Sequence, residues 1–100
     1  MDPVNTRKLG NVLTSKGFKE KQGDHTFYFL YAGDKKTSVH TKISHGRKEY
    51  GANLLSQMSK DLHLTNKQFG QLIECPLSHE DYIQVLVDHG HLKRLPEPLV

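Results

Sequence analysis

Seven consecutive residues, His25-Thr26-Phe27-Tyr28-Phe29-Leu30-Tyr31, constrain this chain more than any other stretch. They are aromatic-rich and free of Gly and Pro, so the segment reads as a strand. Gly33-Asp34 follows as a hairpin loop, and residues 36–43 return as a second strand. Val39, Thr41 and Ile43 are its more apolar positions, while Ser38, His40 and Lys42 are polar. Strands joined this closely pair antiparallel. A shorter strand, residues 18–21, comes before them and ends at the turn cluster Gln22-Gly23-Asp24. A three-stranded antiparallel sheet is therefore the expected centre of the fold.

On either side of this sheet the periodicity turns helical. Asn5 or Thr6 can cap a first helix in which Leu9, Val12 and Leu13 recur, with Gly17 placed for a left-handed C-terminal turn. Arg7, Lys8 and Lys16 fall on its polar side, and Gly10 weakens it by roughly 1 kcal/mol against Ala. After the loop Ser44-His45-Gly46-Arg47-Lys48, a second helix over about 52–62 carries the apolar stripe Leu54, Leu55, Met58 and Leu62. A third begins after Thr65, with Phe69, Leu72 and Ile73, and is ended by Pro76. Ser78 and Asp81, in capping-box positions, open a last helix with Tyr82, Ile83, Leu86 and Val87, which Gly90 stops.

The fold class is thus α/β of the α+β kind: helix, three antiparallel strands, then helices. The first two helices are expected to cover one face of the sheet. That α-β-β-β-α order is the layout of double-stranded RNA-binding domains, with extra C-terminal helices. A chain of 100 residues suits one domain. Its core would span about 6–70, its helical extension about 71–91, and residues 92–100, with Pro96 and Pro98, would form a loose tail.

Charge narrows the partners. Residues 1–50 hold ten Lys/Arg against five Asp/Glu, and residues 51–100 hold four against six. A positive first half favours a polyanion such as nucleic acid. The single cysteine, Cys75, excludes an internal disulfide and agrees with a reducing compartment; it reads as a small buried hydrophobe. No apolar run approaches the ~18–20 residues needed to span a bilayer. The N-terminus, Met1 to Asn5, lacks a charged-then-apolar signal pattern. A cytoplasmic protein without membrane contact is expected. Seven histidines raise the question of a metal, but their spacings match no ligand motif, and no cofactor-binding glycine motif is present. Neither metal nor cofactor is expected.

One histidine stands apart. His25 opens the long strand directly after Gly23-Asp24, where an imidazole is rigidly mounted and still reachable. A group with an ordinary pKa of about 6.5 can accept and return a proton near neutrality. The plainer reading, a polar residue filling a strand edge, is the commoner one for a lone histidine. Alternation puts His25 on the same face as Phe27, Phe29 and Tyr31, yet both faces of the strand are apolar, so parity does not reveal which one meets solvent. Phe27, Tyr28 and Phe29 could stack bases, but core packing is the favoured reading.

The order of motifs resembles the HicA family of messenger-RNA interferase toxins. It runs from a helix through Lys16-Gly17-Phe18, a charged short strand, Gly23-Asp24-His25, the aromatic strand, and a hairpin with a polar-faced strand. His45-Gly46, Lys48-Glu49, and Gly51 leading into Leu54-Leu55 complete it. The likeness covers about residues 6–70. It implies a toxin of a toxin–antitoxin pair, a metal-independent endoribonuclease with His25 as its one catalytic histidine, and a HicB-like antitoxin partner. RNA suits such a site, because the ribose 2′-hydroxyl is an internal nucleophile beside the phosphate and needs only a placed base and nearby cations. Lys19, Lys21, Lys35, Lys36, Lys42, Arg47 and Lys48 are the candidate phosphate contacts, with His45 as a loop-positioning or substrate-contact residue. Asp24 stands where the family more often has Ser; it could orient the imidazole or repel phosphate. The rival reading is a non-catalytic RNA-binding module on the same fold. A third is a protein-interaction adaptor that docks through its C-terminal helices.

Overall fold

The computed structural model describes residues 2–74 and 76–92. In chain order its elements are β1 (Val4–Asn5), α1 (Thr6–Ser15), β2 (Phe18–Gln22), β3 (Thr26–Ala32), β4 (Lys35–Ile43), β5 (Glu49–Tyr50), α2 (Ala52–Asp61), α3 (Asn66–Ile73) and α4 (His79–Asp88). The mixed α+β class is as expected, with β2-β3-β4 a three-stranded antiparallel sheet packed on helices. One pairing is additional: β1 and β5 form a two-residue antiparallel ladder, Val4 opposite Tyr50 and Asn5 opposite Glu49. Two residues are too few for any periodicity to register in a sequence. Leu92, the first residue of the expected tail over 92–100, packs against the core; the rest of that tail and Cys75 lie outside the described residues.

Local chemistry sets the helix ends. Asn5 Oδ1 accepts from the Arg7 and Lys8 amides at 2.8 and 3.3 Å, which identifies Asn5 rather than Thr6 as the cap of α1. Thr65 and Gln68 form a reciprocal capping box at the start of α3, and Ser78 Oγ accepts from the Asp81 amide at α4. Gly17 follows α1 with φ +93°, and a Cβ there would also run into the His79 ring. That ring lies within hydrogen-bond distance of the Tyr31 carbonyl, Nε2 to O 3.0 Å. Gly10 has a packing reason that offsets its helix cost, since a Cβ at that position would stand 2.6 Å from the Tyr28 hydroxyl. Lys16 departs from its expected place on the polar side of α1. It is buried, and its Nζ donates to the Leu77 carbonyl at 2.8 Å, tying the end of α1 to the approach to α4.

The core lies on one face of the sheet. Phe18 of β2, Tyr28 and Leu30 of β3, and Val39 and Ile43 of β4 join Leu9 and Leu13 of α1, Leu55 and Met58 of α2, and Phe69, Leu72 and Ile73 of α3. The C-terminal helix belongs to the same cluster through Tyr82 and Leu86. Tyr82 stacks on Phe18 with centroids 6.0 Å apart and donates its hydroxyl to the Leu62 carbonyl at 2.9 Å. Burial raises the pKa of that hydroxyl. In the turn between α2 and α3, His63 adopts φ +59° and stacks on His91, with centroids 3.9 Å apart. Among the described residues no helix is long and apolar enough to cross a membrane.

Candidate nucleic-acid interface

Sheet register decides which side chains share a surface. On the side of β3 away from the core, Lys21 and Lys42 stand opposite Phe27, Lys19 and His40 stand opposite Phe29, and Lys36 stands opposite Tyr31. Between the last two rows β4 carries extra residues, and the Thr37 hydroxyl donates to the Leu30 carbonyl at 2.8 Å across the irregular stretch. No acidic residue occupies a position on this face of the three strands. Lys19, Lys21, Lys36, His40 and Lys42 are exposed, and Phe27, Phe29 and Tyr31 are half-buried. The expectation that Phe27 and Phe29 pack in the core is therefore corrected. Of the three consecutive aromatics, only Tyr28 points inward.

The rings form a continuous line. His25 meets Phe27 edge-on with centroids 6.4 Å apart, Phe27 and Phe29 are inclined at 26° with centroids 6.3 Å apart, and His40 stacks on Phe29 at 5.3 Å. Two ammonium groups lie over rings of this face: Lys36 Nζ is 3.9 Å from the centre of Phe29, and Lys19 Nζ is 4.3 Å from that of Tyr31, the next same-face residue of β3. A ring face attracts a cation through its quadrupole, so each contact parks a lysine on an aromatic surface that would otherwise face water.

His25 precedes the first residue of β3 and is held by a tight turn, in which the Gly23 amide donates to the His25 carbonyl at 3.0 Å. Its ring is half-buried, and Nδ1 is shielded from solvent with no hydrogen-bond partner among the described residues. An unpartnered buried nitrogen costs roughly 1–3 kcal/mol, so its retention here is not explained by stability. Asp24 is exposed and makes no hydrogen bond to this ring, so the orienting role open to it in the sequence is not taken up in this conformation. His40 is separated from His25 along this line by the rings of Phe27 and Phe29.

Of the expected phosphate contacts, Lys19, Lys21, Lys36 and Lys42 share the face with His25, and the others do not. Lys35 stands opposite Ala32, at a core-side position. His45 Nε2 lies 3.2 Å from the Thr26 hydroxyl, and Thr26 has the alternation of the core side. Arg47 and Lys48 are bound to the start of α1, where their carbonyls accept from the Thr6 hydroxyl and amide at 2.7 and 2.9 Å. There they line a shallow hollow with Asn5 and Arg7, a second basic surface. No protein-family model, curated protein or solved structure matches this chain. Its functional reading therefore rests on these residues. Among the described residues, no three His, Cys, Asp or Glu side chains gather as a metal site.

Sequence reasoning missed the aromatic line, although a signal for it was present. With Gly33-Asp34 as a two-residue loop, Ala32 faces Lys35, and odd-numbered residues of β3 face even-numbered residues of β4. The even positions of β4 are its polar ones, so Phe27, Phe29 and Tyr31 belong with Ser38, His40 and Lys42 on the wet side.

Proposed function

We propose that this chain is a HicA-like endoribonuclease that cuts messenger RNA on the open face of its sheet, with His25 as the base. The observation that carries this reading is the placement of the His25 imidazole at one end of a surface lined by aromatic rings and by Lys19, Lys21, Lys36 and Lys42. His25 takes the proton of a ribose 2′-hydroxyl. The 2′-oxygen then bonds to the adjacent phosphorus, the bond from phosphorus to the 5′-oxygen breaks, and water protonates the leaving oxygen. The products are a 2′,3′-cyclic phosphate and a 5′-hydroxyl. Lys21 and Lys42 flank Phe27, the next same-face residue from His25, and hold the charge that builds on the phosphate. A toxin of this kind works with an antitoxin, and a HicB-like protein covering the open face is the partner this proposal implies.

Incubation of the purified protein with RNA in the presence of chelator tests the reading. Cleavage that leaves cyclic-phosphate ends, and its loss in a folded His25→Ala variant, are the expected results. Unchanged cutting by His25→Ala overturns it. Binding without any cutting returns the protein to the non-catalytic RNA-binding class.

A further inference from the structure

We infer that Phe27 and Phe29 are a two-base stacking platform, and that the open face accepts single-stranded RNA and rejects duplex. This deepens the reading above and assumes that RNA lies on the face bearing His25.

The spacing of the rings is the first argument. Phe27 and Phe29 have centroids 6.3 Å apart and planes 26° from parallel, whereas successive bases stacked in a B-form duplex are separated by about 3.4 Å along each strand. Rings set nearly twice that far apart suit bases splayed along an extended strand. Each ring can take one base only when that base has left its own stack. A duplex buries its base faces and presents grooves and backbone, which these rings cannot engage.

The parked lysines are the second argument. Lys36 over Phe29 and Lys19 over Tyr31 occupy the aromatic surface in the free protein. An exposed cation–π contact of this kind shifts an equilibrium roughly 2- to 5-fold, while a base stacked on an aromatic side chain is worth roughly 5- to 150-fold. A base arriving on Phe29 therefore displaces the Lys36 ammonium group, which swings outward to the phosphates of the same strand, while Lys19 beside it on Tyr31 is free to follow. No acidic residue stands on this face of the three strands, so no strand residue there repels a backbone that threads between the rows Lys21–Phe27–Lys42 and Lys19–Phe29–His40. His40, stacked on Phe29, buttresses the second ring. Two bases stacked on Phe27 and Phe29 would fix the strand at a set distance from His25, so the platform also selects which linkage reaches the imidazole.

The test uses 2′-O-methyl oligonucleotides, whose blocked 2′-oxygen prevents cutting, with binding read by fluorescence anisotropy. The full chain should bind the single strand more tightly than the duplex of the same sequence. Phe29→Leu should weaken single-strand binding about 10-fold and Phe27→Leu/Phe29→Leu about 100-fold, with duplex binding nearly unchanged. Equal losses for both oligonucleotides, or no loss for the single strand, overturn the inference. In the second case the rings are left to the rival reading, a protein-docking surface. The two proposals fail separately. If His25→Ala stops cleavage while Phe29→Leu leaves binding intact, the chemistry stands and the platform falls. If His25→Ala still cuts while Phe29→Leu loses the single strand, the platform stands and the catalytic assignment falls.

Discussion

The two faces of β3 are made of similar residues and do different work. Tyr28, Leu30 and Ala32 point into the helices, and Leu30 is completely shielded from solvent. Phe27, Phe29 and Tyr31 point the other way, where Phe27 and Phe29 meet each other and histidine rings, and lysine ammonium groups lie over Phe29 and Tyr31. An apolar side chain contributes to stability in proportion to the surface it removes from water. The inner set therefore holds the fold, while the outer set has capacity left for a ligand. An aromatic residue in a strand is thus no evidence of core packing until the neighbouring strands show which side is covered.

This division can be broken by substitution, and the largest expected effect is catalytic. His25→Ala should lower RNA cleavage by roughly 10²- to 10⁴-fold while its thermal midpoint stays near that of the parent. A variant that loses activity only by unfolding would place His25 with the structural residues. Next in size is Leu30→Ala, which should cost about 2–5 kcal/mol in denaturant unfolding. Phe29→Leu, one residue away on the other face, should cost well under ~1.5 kcal/mol. Equal losses would erase the distinction between the faces.

The lysines sharpen the comparison from the electrostatic side. Removing Lys19 and Lys36 together should flatten the dependence of log affinity on log salt by about 1.4 for a single strand, since each phosphate contact contributes roughly 0.7. Lys35→Ala, at a core-side position of β4, should leave that slope alone. A slope that responds to Lys35 and not to Lys19 and Lys36 would move the RNA path off the open face.

The smallest effect lies away from the sheet. Burial first, and His91 second, lower the pKa of His63 below its ordinary value of 6.5, with Asp61 acting in the opposite direction. The unfolded chain then binds that proton more readily. The His63 contribution to stability is full above pH ~6.5 and falls as the pH drops from there towards the lowered folded-state value. Asn tolerates the positive φ at this position, so His63→Asn should narrow the difference in melting temperature between pH ~7.5 and ~5.5. A difference as large as the parent's would exclude His63 as its source.

Much of the architecture was legible because it is local. Gly17, Thr65, Ser78 and Gly90 mark element ends through chemistry confined to a few residues, and each stands where that chemistry put it. Strand boundaries moved by about one residue, with His25 just outside β3 and Ala32 inside it. The β1–β5 ladder and the burial of Lys16 were not legible, because both depend on partners tens of residues away. For the site, His25 and the four sheet lysines were identifiable by residue type. Lys35, His45, Arg47 and Lys48 looked equivalent to them and are directed elsewhere by register and by the hold of Thr6 on the loop.

By itself the sequence determined a helix, a three-stranded hairpin sheet and further helices, together with a positive first half and an imidazole mounted beside a stiff aromatic strand. Only tertiary structure decided which face of that strand the helices cover, and so which rings meet solvent. The reason is physical. Turn and cap preferences act over a few bonds and are written in neighbouring residues, whereas the burial of a strand whose two sides are equally apolar depends on what the rest of the chain brings against it.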